Sequence, residues 1–188
     1  MSKLSIVIAS TRPGRIGLPV GQWIDAFARQ HGGFGEVELV DLAEEGLPFM
    51  DEPNHPRLRQ YVHDHTRRWS AKVDASDAFV FVMPEYNYGF NAELKNAIDY
   101  LHAEWAHKPV GLVSYGGVSA GTRAAQMIKQ VVTTLKMTPL PEAVSIPFVQ
   151  QFLKDGRIEA NDVMEAGAKA MLDELVRVSD ALLPLRKV

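Results

Sequence analysis

Cysteine is missing from all 188 residues. That absence excludes disulfides, thiolate metal sites, iron–sulfur clusters and a cysteine nucleophile together. It also fits a reducing compartment, so a cytoplasmic location is expected. No apolar run approaches the roughly 18–20 residues that span a bilayer. The short apolar stretch near the amino terminus has no small-residue cleavage site after it, and no signal peptide is expected. Charge of one sign is not in excess either: 20 Lys and Arg face 23 Asp and Glu, a net of -3. A general nucleic-acid binder is usually basic, so no nucleic-acid partner is expected. Internal repeats, low-complexity tracts and linkers are absent as well. What is present is 46% hydrophobic residues, enough to build a sizeable core. The length suits one domain spanning residues 1–188.

Short apolar runs alternate with helical patterns. Leu4 to Ala9 is rich in β-branched residues and reads as a strand. Ile16, Val20, Trp23, Ile24 and Phe27 then recur at helical spacing. Val37 to Leu42 is a more polar strand, expected near an edge, and Arg57 to Val73 reads as a helix. Ala78 to Met83 is apolar throughout, as a strand covered on both faces should be. Asn91 is placed to cap a helix carrying Leu94, Ile98 and Leu101. Val110 to Tyr115 is another buried strand, and Ser119 is placed to cap the helix after it. Ala143 to Phe148 makes a fifth strand, Gln150 to Arg157 a surface loop, and Asn161 to Leu183 a last helix. This βαβαβαβαβα order implies a parallel sheet with helices on both faces. Two strand orders compete, 3-2-1-4-5 and 2-1-3-4-5.

Ligands of such sheets bind beyond the carboxyl ends of the strands. In the order 2-1-3-4-5, strands one, three and four are neighbours, and their three loops converge on one crevice. The first loop, Ser10-Thr11-Arg12-Pro13-Gly14-Arg15-Ile16-Gly17, sets hydroxyls, backbone N–H groups and two arginines before a helix. That combination suits a phosphate monoester. It lacks the Gly-Lys-Ser/Thr ending of a P-loop and the spacing of a dinucleotide fingerprint. The second, Pro84-Glu85-Tyr86-Asn87-Tyr88-Gly89, mixes flat apolar faces with hydrogen-bonding groups, as a planar heterocycle requires. The third, Ser114-Tyr115-Gly116-Gly117, lets backbone approach a ligand closely.

With these three loops the chain resembles the NADPH-dependent FMN reductase family of flavodoxin-like proteins, which includes quinone, azo-dye and chromate reductases. STRPGR resembles the family's phosphate loop, PEYN its flavin-ring loop and SYGG its second ring-contacting loop; the resemblance runs from about Ser5 to Phe148. It implies a three-layer α/β/α sandwich around a five-stranded parallel sheet in the order 2-1-3-4-5. It assigns the FMN phosphate to Ser10, Thr11, Arg12, Ile16 and Gly17. Pro84, Glu85, Tyr86 and Asn87 line the ring, and Ser114, Gly116 and Gly117 approach its other edge. One departure is visible: the family's closing serine has no counterpart, and Gly17 or nearby backbone takes its place.

The resemblance further implies NADPH or NADH as hydride donor and a quinone, azo compound or free flavin as acceptor, in ping-pong fashion. The flavin carries that chemistry, so no catalytic side chain is expected. Family members are typically homodimers or homotetramers, with the helix after PEYN a candidate interface. A one-electron carrier of the same fold commonly has a strongly acidic surface, which Arg12, Arg15 and the small net charge argue against. A phospho-acceptor module needs acidic residues where Ala9-Ser10 and Met83-Pro84 stand. Arg57, Arg59, Arg67 and Arg68 read as a solvated face of one helix. His63, His65, His102 and His107 form no metal set, and a surface role is expected for them.

Overall fold

The computed structural model describes residues 2–186. Within these residues eight strands and six α-helices follow in chain order. They are β1 (Lys3–Ile8), α1 (Gly17–His31), β2 (Glu36–Asp41), α2 (Leu42–Glu45), α3 (Asp64–Asp74), β3 (Ala78–Tyr86), β4 (Gly89–Phe90) and α4 (Ala92–Asp99). Then come β5 (Pro109–Tyr115), α5 (Thr122–Thr134), β6 (Thr138–Ile146), β7 (Leu153–Lys154), β8 (Arg157–Ile158) and α6 (Asp162–Leu182). The main sheet runs β2-β1-β3-β5-β6, all parallel, which is the order 2-1-3-4-5 counted over its long strands. The two-residue β4 folds back antiparallel on β3, and β2 is an edge strand.

Period-two alternation divides the core. From β1 and β3, Leu4, Ile6, Val80 and Val82 face one layer with α1 and α6. Val7, Phe79, Phe81 and Met83 face the other, with α3, α4 and α5. Each fully buried Phe or Ile stabilises by about 1.5–3 kcal/mol relative to exposure. Covering both faces in this way is what makes the middle strands apolar at every position.

Several local expectations are corrected. The helix read over Arg57 to Val73 is α3 alone. Before it, a 3-10 turn at Pro56–Leu58 ends where Arg59 adopts a left-handed φ of 51°. Arg57 and Arg59 therefore do not share a helix with Arg67 and Arg68. Arg57 donates to His102 Nε2 at 3.0 Å, Arg59 pairs with Asp74, and Arg67 pairs with Asp64 at 2.8 Å. The last long strand covers Thr138–Ile146 rather than Ala143 to Phe148, and Phe148 lies beyond it. Gly121, at a φ of 78°, rather than Ser119, occupies the cap position of α5. Asn91 does precede α4, but its side-chain amide donates to Ala9 O at 2.7 Å instead of capping the helix. The segment read as a loop over Gln150 to Arg157 contains a 3-10 turn at Val149–Phe152 and the β7–β8 hairpin.

The rings of His63 and His65 stack at 5.1 Å because His63 stands before α3, outside its helical spacing. Among the described residues no group of three or more His, Asp or Glu is placed to hold a metal ion. Among the same residues no helix is long and apolar enough to cross a membrane.

Candidate active site

The loops after β1, β3 and β5 meet beyond the carboxyl ends of these adjacent strands, around a cavity of about 610 Å3. That volume falls within the roughly 300–1,000 Å3 typical of sites for small organic ligands. Arg12, Gly14 and Ile16 line one side, Pro84, Glu85 and Tyr86 another, and Tyr115, Gly116 and Gly117 the floor. The segment Phe148 to Gln151, with Leu153, supplies a wall absent from the expectations drawn from sequence.

At the first loop, polar groups are left open. The chain turns at Gly14, whose φ of 69° suits glycine, and closes with Arg15 N–H donating to Arg12 O at 3.0 Å. Helix α1 begins at Gly17 with no side-chain cap and no acidic residue in its first turn. The N–H groups of Gly17 and Leu18 therefore have no helical partner, and those of Arg12, Gly14 and Ile16 donate to no loop carbonyl among the described residues. Arg12 is exposed, and its guanidinium enters no hydrogen bond or ion pair among those residues. A free guanidinium beside open N–H groups at a helix start is an anion-binding arrangement.

Arg15 behaves differently. Both its terminal nitrogens reach Asp41 at the end of β2, one at 2.6 Å, and it also donates to Ser10 O. The Asp41 hydrogen bonds raise its pKa further above the ordinary range. It fixes the loop and is already neutralised, so it adds no free charge to the cavity.

Thr11 also turns away. Its hydroxyl donates to Glu93 Oε1 at 2.9 Å, at a second hollow of about 490 Å3 bounded by the loop after α2 and by α4. Burial opposes ionisation of Glu93, but hydrogen bonds from Asn91, its own backbone and Thr11 outweigh it and hold the carboxyl below its usual pKa.

Ser10 is buried beneath the loop, where Tyr115 Oη donates to its hydroxyl at 3.2 Å. Burial pushes the Tyr115 phenol up to about 12, so it stays protonated at neutral pH. A side chain at Gly17 would collide with both hydroxyls. Position 17 is thus held to glycine by a local cause: the space of a side chain belongs to Ser10 and Tyr115.

The ring side is held by one carboxylate. Glu85 accepts from Ser119 Oγ at 2.9 Å and from Arg123 N–H at 3.2 Å, and pairs with the Arg123 guanidinium at 3.0 Å. That guanidinium lies 3.9 Å over the Tyr88 ring. Asn87 and Tyr88 form the tip of the β3–β4 hairpin, both at positive φ (49° and 73°), and Asn87 does not line the cavity. Ser114 is buried and donates to Ala120 O at 2.9 Å, shaping the third loop from beneath. Gly116 N–H is taken by Ile146 O at 3.3 Å. Nothing lies within 4 Å of where a Gly117 Cβ would stand, so a ligand meets bare backbone there. Of the residues expected from sequence, then, Arg12, Ile16, Pro84, Glu85, Tyr86, Gly116 and Gly117 line the cavity. Ser10, Gly17 and Ser114 support it from below, Thr11 bonds Glu93, and Asn87 does not line it.

An open parallel sheet with an anion-binding loop after β1 and an aromatic, glycine-floored slot beside it defines a flavodoxin-like nucleotide-binding protein. Residues 2–151 match the NADPH-dependent FMN reductases, and the chain belongs to that family. It is an oxidoreductase that works with FMN and NAD(P)H. An NAD(P)H-dependent FMN reductase of Nectria sp. is 34% identical over 153 residues, covering 79% of this chain and 76% of that one. One of Schizosaccharomyces pombe is 38% identical over 149 residues, covering 77% and 74%. The flavoenzyme NAD(P)H:(acceptor) oxidoreductase FerB of Paracoccus denitrificans has the same fold, with a TM-score of 0.75 at 19% identity over 96% of this chain and 98% of that one.

Proposed function

We propose that residues 1–188 form a single domain that holds FMN in the cavity over β1, β3 and β5 and reduces small organic acceptors at the expense of NAD(P)H. The observation that carries this reading is the polarity of the cavity. One end offers an unpaired cation and open N–H groups, and the other an aromatic and glycine slot. That division matches a molecule with a phosphate tail and a flat heterocyclic head.

In this reading Arg12 and the N–H groups of Ile16 and Gly17 hold the phosphate. Pro84, Glu85, Tyr86, Gly116 and Gly117 bound the ring, while Ser10 and Ser114 fix the loops from beneath. Bound FMN supplies the redox chemistry: a hydride from NAD(P)H and a proton from solvent together convert, for example, a quinone to its hydroquinone. The protein's own tasks are orientation and electrostatics. Gly117 N–H is the open backbone donor of the third loop, because Gly116 N–H is engaged by Ile146 O. A single mouth serves donor and acceptor in turn, which makes the kinetics ping-pong. Quinones, azo compounds and free flavin are the acceptor classes. The working state is a cytoplasmic homodimer or homotetramer.

Titration of the apoprotein with FMN, followed in the visible spectrum and then bleached anaerobically with NADPH, tests this. Arg12→Ala removes a charge-assisted hydrogen bond of about 1.5–3 kcal/mol, so FMN binding should weaken roughly ten- to hundredfold with the melting temperature preserved. Unchanged affinity in this variant rules out the phosphate assignment.

A further inference from the structure

Phe148 costs the fold something and returns no packing. It has a left-handed backbone, φ 43° and ψ 49°, where a bulky side chain is a true outlier. The residue is 50% exposed and belongs to neither hydrophobic cluster. A glycine would take that conformation without strain. Yet the backbone is firmly strapped: Phe148 N–H donates to Gly117 O at 3.1 Å and Val149 N–H to Gly116 O at 3.3 Å. Strain that persists under such restraint, at a cavity wall, points to function.

The position says which function. Phe148 follows β6 and Tyr86 ends β3, and these strands flank β5, after which Gly116 and Gly117 floor the cavity. The two half-exposed rings therefore stand on either side of the bare glycine floor. We infer that Phe148 is a specificity-determining residue whose ring walls the mouth of the cavity and stacks on flat aromatic electron acceptors. The inference rests on the proposed flavin site. Because the strap runs through Gly116 and Gly117, this wall is set in place before any acceptor arrives, with no loop closure needed.

The test compares the wild type with Phe148→Gly, Phe148→Leu and Phe148→Tyr. NADPH oxidation is measured with a naphthoquinone, which is flat and aromatic, and with ferricyanide, which is neither. The readout is the ratio of the two kcat/KM values. Stacked aromatic pairs are worth enough to shift that ratio about two- to tenfold. The ratio should fall by this factor in Phe148→Gly and Phe148→Leu through a higher quinone KM, and recover in Phe148→Tyr. Relief of the left-handed strain should keep Phe148→Gly folded, which a melting curve checks. An unchanged ratio overturns the inference. So does a loss of FMN affinity larger than the change in ratio, which would make Phe148 a cofactor contact. Failure of the wild type itself to bind FMN would instead remove the flavin reading on which the inference rests.

Discussion

Two cations, one at each end of the main sheet, show how differently those ends are built. Lys108 stands at the amino end of β5, buried, and its ammonium donates to Val73 O at 2.7 Å and Asp74 O at 3.1 Å. It closes the carboxyl terminus of α3 with a charge the helix favours. Around it, buried Glu104 accepts from Tyr61 at 2.7 Å and Ser70 at 2.8 Å, and Asp77 accepts from Lys3 N–H at 2.7 Å and Arg186 at 2.9 Å. Arg12 lies past the carboxyl end of β1, exposed and without a partner among the described residues. One end of the sheet satisfies its charges internally. The other holds its backbone just as firmly, through Arg15, Tyr115 and Glu85, but leaves donors pointing outward. Stability and binding are thus drawn from the same kinds of residue, separated by the length of a strand.

The largest effect that would sharpen this contrast is a pH dependence at the closed end. Burial lowers the Lys108 pKa to about 8, against an ordinary value of 10.5. Between those values the unfolded chain binds a proton that the folded chain has released, so stability rises with pH. The contribution should grow by up to about 3 kcal/mol across this window and vanish in Lys108→Met. Denaturation at pH 8 and pH 10 measures it, and FMN affinity in this variant should stay within about twofold of the wild type. A rise equally present in both proteins would break the assignment.

At the open end, Gly17→Val forces a side chain into the space of the Ser10 and Tyr115 hydroxyls. Overpacking of about 1–3 kcal/mol should appear as a roughly five- to hundredfold loss of FMN affinity. Retained affinity would mean that the loop is softer than the contrast requires. The smallest effect belongs to Thr11→Val, because its hydroxyl serves Glu93 and not the cavity. Stability should drop by about 1 kcal/mol, with FMN affinity within about twofold of the wild type. A tenfold loss of affinity would return Thr11 to the phosphate site.

Much of this arrangement was legible in the sequence, and the misses have physical causes. The buried strands announced themselves because both faces are covered, and the crevice followed from their order. The residues that misled were those whose partners lie far along the chain. Nothing in STRPGR distinguishes Arg15 from Arg12; the difference is Asp41, brought alongside only when β2 pairs with β1. Thr11 is claimed by Glu93, 82 residues away. Phe148 reads as the end of a strand because the run Ala143 to Phe148 continues past Ile146, while Pro139 and Pro141 disguise the true start of β6, on the edge position where proline is tolerated. Tyr115 sits in a motif whose glycines drew attention, while its hydroxyl reaches across to Ser10. The arginines at 57 and 59 left the helix pattern because Arg59 turns the chain left-handed, which no periodicity reveals.

The hydroxyl pair under Gly17 carries a consequence for how relatives of this chain can diverge. Positions 10, 17 and 115 share one small volume, so they should change as a set. A branch that acquires a side chain at 17 must first shorten both 115 and 10, and intermediates that change only one should be rare. A serine placed at position 17 therefore calls for both Ser10→Ala and Tyr115→Phe as companions, a triple replacement that should fold where Gly17→Ser alone does not.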